Sequence, residues 1–377
     1  MKKTILFILM ATLLVACKKG DSDFSAYTTD TGTVTTIQIV YNGTSASVSG
    51  DTQGVVSVSG ADVTVNSQYA DSLLLVLSGA TTDGSLLVNR SRKYGILLNG
   101  VSITNADGPA INNQGKKALY VECADGTTNT LVDGTAYAEH SYDQKGTLFS
   151  EGQIIFRGSG TLNVTANCKN AIASDDYVVV GGDIVINATT SATGSNGVKV
   201  NDGMYIAGGM LTIHVASEGG RGINCDSILT ITGGTTTINT TGDCKVETVD
   251  GVTDTTSAAC IKSDYAFTMM GGTLAMKSTG DGGKGINCNQ AVTFSGGTLT
   301  AITTGTNNLS KPKAVKSDVE ITVSGGSFLA QTQKSWACDN GYEDDTLTDD
   351  ELALKRITVV GSPTTKTIGK KLVQVVY

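Results

Sequence analysis

Past residue 95 the chain is written in short alternating runs, with apolar residues on every second position. Examples are Leu211-Thr212-Ile213, Ile228-Leu229-Thr230-Ile231-Thr232 and Val319-Glu320-Ile321-Thr322-Val323. Alternation of this kind predicts strands, and no helical period interrupts it within the repeats. A Gly-Gly pair precedes many of the runs: Gly181-Gly182, Gly208-Gly209, Gly233-Gly234, Gly271-Gly272, Gly296-Gly297 and Gly325-Gly326, with Gly158-Ser159-Gly160 as a looser copy. The second glycines are separated by 27, 25, 38, 25 and 29 residues, so one repeat is about 25 residues and the long step carries an excursion between Cys244 and Cys260. A second marker lies upstream of each pair and reads small, aliphatic, variable, Ser/Cys, Asp/Asn. Its copies are Ala171 to Asp175, Gly222 to Asp226, Cys260 to Asp264, Gly285 to Asn289 and Ala314 to Asp318, with Gly197 to Asn201 as a variant.

Three strands per repeat predict an all-β, right-handed parallel β-helix, a solenoid in which each strand pairs with its copy one coil along. The handedness follows from the general rule for parallel crossovers. A β-sandwich with a chance repeat is the competing reading. Alternation points the marker's aliphatic and Ser/Cys positions inward, so Cys225, Cys288 and Cys338 are expected as small interior rungs and Trp336, in the aliphatic slot, as a core plug. The expected divisions are a signal peptide over 1–17, a tether over 18–30 and an N-terminal β cap with first strands over 31–94. The coils follow over 95–340 and a C-terminal cap over 341–377, with Asp349 to Leu354 as a short helix. Strands before residue 95 are expected to pack across the open first coil, because a stack of parallel strands needs its edge covered.

Lys2 and Lys3, a short apolar run and Leu14-Val15-Ala16-Cys17 form a lipoprotein signal peptide, since the run is too short for a permanent membrane span. Cleavage leaves Cys17 as a lipidated N-terminus. The protein is thus expected to be exported and lipid-anchored to the envelope, at the outer membrane or cell surface. Gly is 46 and Pro only 3 of 377 residues, which suits strands and turns rather than a disordered chain. A net charge of −8 argues against nucleic acid, and a polyanionic partner would need metal bridges or a local basic stripe. Without Cys17, seven cysteines remain, mostly expected as buried thiols; a Cys244–Cys260 bridge would staple the excursion.

The marker's variable position reads Lys199, Asn224, Lys262, Asn287, Lys316. Stacked about 4.8 Å apart, these residues form an outward ladder with a lysine roughly every 10 Å, able to meet a polyuronate chain or simply to keep the face soluble. Beside them run Asp175, Asp176, Asp202, Asp226, Asp264 and, from a loop, Asp281, either a calcium-binding ladder or turn residues bonded to their own backbone. No catalytic constellation stands out. There are 2 histidines, without metal-hydrolase spacing, and the one arginine between the first and last Gly-Gly is Arg221, expected to pair with Glu218.

Five segments carry a family resemblance: Val76 to Ser85, Leu97 to Asn105, Gly108 to Asn112, Asn129 to Gly134 and Lys145 to Gly152. On them the chain resembles a family of bacterial carbohydrate-binding β-helix proteins, formerly a domain of unknown function. The resemblance implies a pectate-lyase-like β-helix that binds plant cell-wall polysaccharides, acidic ones included, with Ca2+ and without an established lyase activity. The expected function is therefore a surface-anchored, non-catalytic polysaccharide-binding protein. The alternatives are a calcium-dependent polysaccharide lyase and a protein-binding adhesin or structural lipoprotein.

Overall fold

The computed structural model of the protein describes residues 34–68, 71–369 and 372–376. The expected signal peptide over 1–17, with Cys17, and the expected tether over 18–30 lie outside the described residues. The described chain winds into a parallel β-helix with three ladders. One runs through the markers, from Asp62–Ser67 and Ser85–Arg90 through Asn170–Ser174, Arg221–Cys225 and Lys313–Ser317 to Cys338–Asp339. The second is built of three- to five-residue strands such as Leu229–Ile231 and Val292–Phe294. The third holds the strands that follow the Gly-Gly pairs, such as Thr235–Thr240 and Thr298–Thr303.

The Gly-Gly pair is a steric requirement of stacking. Gly234 has φ +74°, and a Cβ there would stand 2.5 Å from the Gly208 carbonyl oxygen of the previous coil. Gly272 repeats this at φ +78°, 2.7 Å from the Gly233 oxygen. Only a residue without Cβ fits a left-handed turn pressed against the turn beneath it. Inside, aliphatic columns such as Val198, Ile223, Ile261, Ile286 and Val315 stack in register and are buried. Phe294 and Phe328 pack with their rings tilted at 56° and centroids 5.6 Å apart near the C-terminal end.

Parallel pairing reaches further toward the N-terminus than the repeat predicts. Val34–Asn42 pairs in parallel with Ser72–Thr81, and the latter with Tyr94–Thr104, so these strands form coils instead of lying across them, while Ala46–Ser49 and Val56–Ser59 pair antiparallel at the N-terminal end. Tyr94–Thr104 serves two ladders at once, pairing with Leu119–Cys123 through its first half and with Thr128–Val132 through its second. A strand that rounds the corner without a turn carries no turn marker.

At the other end the helix Asp349–Lys355 forms as expected, held by a capping box between Thr348 and Glu351. It delivers Arg356 to the marker ladder. The last marker is shifted by two residues: Cys338, not Trp336, lies beside Val315 in the aliphatic slot, and Asp339 lies beside Lys316. Trp336 is half-buried at the surface and not a core plug. All seven described cysteines are free thiols, Cys244 and Cys260 included.

Candidate functional site

The chain leaves the third ladder and enters the marker ladder at one corner, and long loops occur there at 133–145, 241–258 and 304–312. The excursion at 241–258 holds the antiparallel hairpin Lys245–Val249 with Val252–Thr256. These loops wall one side of the outer marker face.

On that face Ala173, Lys199, Asn224, Lys262, Asn287, Lys316 and Asp339 follow one another in unbroken register. The expected ladder thus exists, but its side chains are engaged. Lys262 Nζ lies 2.5 Å from Asp264 Oδ1 and 2.6 Å from Asn289 Oδ1, Lys316 Nζ lies 2.5 Å from Asp318 Oδ1, and Lys199 pairs with Asp226. The cationic and acidic ladders are therefore one network. Asn224, between Lys199 and Lys262 on that face, is 8% exposed and so covered there.

The remaining acidic positions are dispersed. Asp176 accepts from the Tyr177 amide at 2.9 Å and bonds Gln153. Its carboxyl is pushed upward by burial and, with opposing hydrogen bonds, by the nearby Asp202. Asp281 accepts from the Leu309 amide at 3.2 Å, while its own amide donates to Asp243. Among the described residues one carboxylate trio converges, Asp143, Glu151 and Asp175, with oxygens within 4.8 Å of one another. Lys145 Nζ lies 2.7 Å from Asp143 and 2.5 Å from Asp175. Of the six expected metal ligands only Asp175 belongs to this group.

Sequence reasoning missed a second outer column, one position before the marker's small residue: Asn196, Arg221, Ala259, Lys284, Lys313. Recurrence of a basic residue there, in Arg221-Gly222, Lys284-Gly285 and Lys313-Ala314, was the available signal. Among the described residues Arg221 makes no ion pair with Glu218, and its buried Nε has no hydrogen-bond partner. Lys313 and Arg356 both pair with Asp339. Burial opposes ionisation of Asp339, but the Lys313 ammonium bonded to it, with Arg356 nearby, holds its carboxyl below the usual range.

The second column opens into a cleft of about 380 Å³ toward the C-terminal end. Its lining contributes Lys284, Lys311, Lys313, Lys316 and Arg356 against Asp339 and Glu343, five cations to two carboxylates. Trp336 forms part of the wall, with the Arg356 guanidinium 4.7 Å from its ring centroid. Such a cleft can take an anionic group beside a ring-shaped apolar face. A second cleft of about 370 Å³ on the same face is lined by Lys145, Lys169, Lys199 and Asp175.

A model of the carbohydrate-binding domain-containing protein family matches residues 59–227 and 206–308. A carbohydrate-binding domain-containing protein of Acetivibrio thermocellus is 33% identical over 121 residues, covering 30% of this chain and 42% of that relative. The match thus spans less than half of the relative's length. Among solved structures, the polysaccharide lyase-like protein from C. thermocellum, a gadolinium derivative, aligns with a TM-score of 0.55 at 25% identity. That alignment covers 69% of this chain and 97% of the other.

Proposed function

The chain belongs to the family of carbohydrate-binding domain-containing proteins, and from that premise we propose that it is a non-catalytic, surface-anchored protein that grips acidic cell-wall polysaccharide along the marker face. The observation that carries this reading is the charge of the Lys284 cleft. A chain with net charge −8 repels a polyanion overall, yet five cations and two carboxylates line that cleft beside an indole ring. A uronan offers what such a surface selects: carboxylates at regular intervals and sugar rings whose C–H faces stack on aromatic side chains. Lys199, Lys262 and Lys316, fixed by their aspartates, continue the cationic line along the solenoid. The lipobox ending at Cys17 supports export and tethering to the envelope.

Calcium enters this proposal as an assistant. Asp143, Glu151 and Asp175 form the hard-oxygen group such an ion prefers, but the Lys145 ammonium already bridges two of them, so an ion there must displace it.

Affinity electrophoresis in gels containing polygalacturonate, xylan or cellulose tests the proposal. Retardation is expected in polygalacturonate, and no retardation by any glycan overturns it. Release of unsaturated, ultraviolet-absorbing products from polyuronate would instead establish a lyase.

A further inference from the structure

Lys284 differs from the other lysines of the marker face. It is 5% exposed, yet among the described residues it makes no ion pair, whereas Lys199, Lys262, Lys313 and Lys316 each have an aspartate. An ammonium has three N–H donors. Lys284 Nζ donates one short hydrogen bond, 2.5 Å to Ser257 Oγ, and reaches the Gly282 carbonyl and Ser310 Oγ only at 3.4 and 3.5 Å, the limit of a hydrogen bond. A buried charge without a counter-ion is costly and calls for a partner. The neighbours in the fold form no ion pair with it: Ala259 and Lys313 flank Lys284 in the ladder, Asp339 in its cleft is already paired with Lys313 and Arg356, and among the described residues no ion pair joins Lys284 to Glu343, the other carboxylate of that cleft. Asn287 Oδ1 is itself buried without a hydrogen-bond partner.

We propose that Lys284 is an anion-recognition subsite, where the carboxylate of a uronic acid, or the sulfate ester of a sulfated glycan, completes a charge pair that the fold leaves open. This rests on the polysaccharide reading above and makes it specific. The subsite sits between the foot of the 245–256 hairpin, through Ser257, and the wall bearing Trp336. The acidic group therefore enters pointing into the corner, with its ring toward the indole.

The test is calorimetric titration of wild type, Lys284→Met and the surface control Lys117→Met with trigalacturonate, a neutral trisaccharide and inorganic sulfate. Losing a charge-assisted hydrogen bond to a buried cation predicts that Lys284→Met binds trigalacturonate more weakly by about tenfold or more, with Lys117→Met unchanged. Equal affinity of wild type and Lys284→Met for trigalacturonate overturns the subsite and leaves the polysaccharide reading standing. If wild type binds neither sugar but takes up sulfate, and Lys284→Met does not, the anion site stands and the uronan reading falls. Absence of all binding to wild type overturns both. Should Lys284→Met not fold, Lys284→Gln carries the comparison, and melting of wild type with trigalacturonate against the neutral sugar reads the anion effect without a variant.

Discussion

Lys262 Nζ lies 2.5 Å from Asp264 Oδ1, two residues ahead in the same coil, so the cationic column of the marker face is held in place by the acidic turn column beside it. A polyuronate must compete with that aspartate for the ammonium. Converting Asp264 to Asn removes the competitor and should raise polygalacturonate affinity, whereas Lys262→Met should lower it. Asp264→Asn should retain wild-type stability to within about 1 kcal/mol, because the aspartate of this pair is open to solvent and such a pair contributes little to folding. Titration and melting of the two variants check the opposite signs. A loss of affinity in Asp264→Asn would mean that the aspartate itself touches the ligand.

The register of the marker face was legible in the sequence because stacking enforces it. A Gly-Gly turn at φ +74° pressed on the coil below leaves a mark that no other arrangement requires, and Lys199, Asn224, Lys262, Asn287 and Lys316 followed from counting between such marks. The first coils were illegible for the converse reason: Tyr94–Thr104 rounds its corner as one continuous strand. The cleft escaped because it forms where the repeat fails. A two-residue shift in the last marker brings Asp339 beside Lys316 and leaves Trp336 at the surface, and the C-terminal helix adds Arg356 from outside the repeat. Periodicity cannot announce a departure from itself.

Binding should weaken with salt. At about 0.15 M ionic strength charges separated by more than about 8 Å are largely screened, and a polyanion spread over several lysines loses attraction as salt rises. Polygalacturonate retardation should fall steadily between low and about 0.5 M sodium chloride while any retardation by cellulose is unchanged. A salt-independent shift in polygalacturonate would mean that the lysine column is not the contact.

Burial lowers the Lys284 ammonium to about 8, and with the Cys244 thiol opposing, Lys316 and Lys313 push in the same direction. Two effects of opposite sign follow. Anion affinity should fall as pH rises above about 8, since the free site loses its proton there. Stability should respond the other way: between about 8 and the ordinary lysine value of 10.5 the unfolded chain holds more proton at this group, so its folding penalty is relieved as pH climbs. Buried thiols, raised to about 12 at Cys123 and Cys260, lose stability above their ordinary value of 9.0 and mask this in wild type alone. The measurement is therefore a difference: Lys284→Met should melt above wild type at pH 7, and the gap should narrow by pH 10.

Replacing Gly234 by Ala tests the stacking argument. The new Cβ meets the Gly208 oxygen at 2.5 Å, and the left-handed φ strains any residue with a side chain. A cost of about 1–3 kcal/mol is expected, read as a lower midpoint in denaturant. Ala at Gly251, which has φ +78° but nothing within 4 Å of the added atom, should cost less and serves as the comparison for the clash.

Calcium dependence separates the two ways a carboxylate-rich solenoid can hold a polyuronate. Glu151 is pushed upward by burial and by Asp175 and Asp143, with Lys145 opposing, so the trio is short of positive charge even with the lysine in place. A divalent ion supplies more charge than one ammonium and can coordinate all three carboxylates at once, which the unfolded chain cannot. At free calcium about a hundredfold above its dissociation constant the folded state gains about 2.7 kcal/mol, enough to move a melting midpoint. Because Lys145 occupies the approach to Asp143 and Asp175, the wild-type shift between excess chelator and millimolar calcium should be smaller than that of Lys145→Met. Glu151→Gln, which removes one ligand charge, should reduce the shift in either background. If the shift tracks these substitutions and polygalacturonate affinity rises with it, calcium bridges protein to glycan. If melting in chelator and in calcium coincides for wild type and Lys145→Met alike, the trio is an ion-paired corner, and recognition rests on the lysines alone.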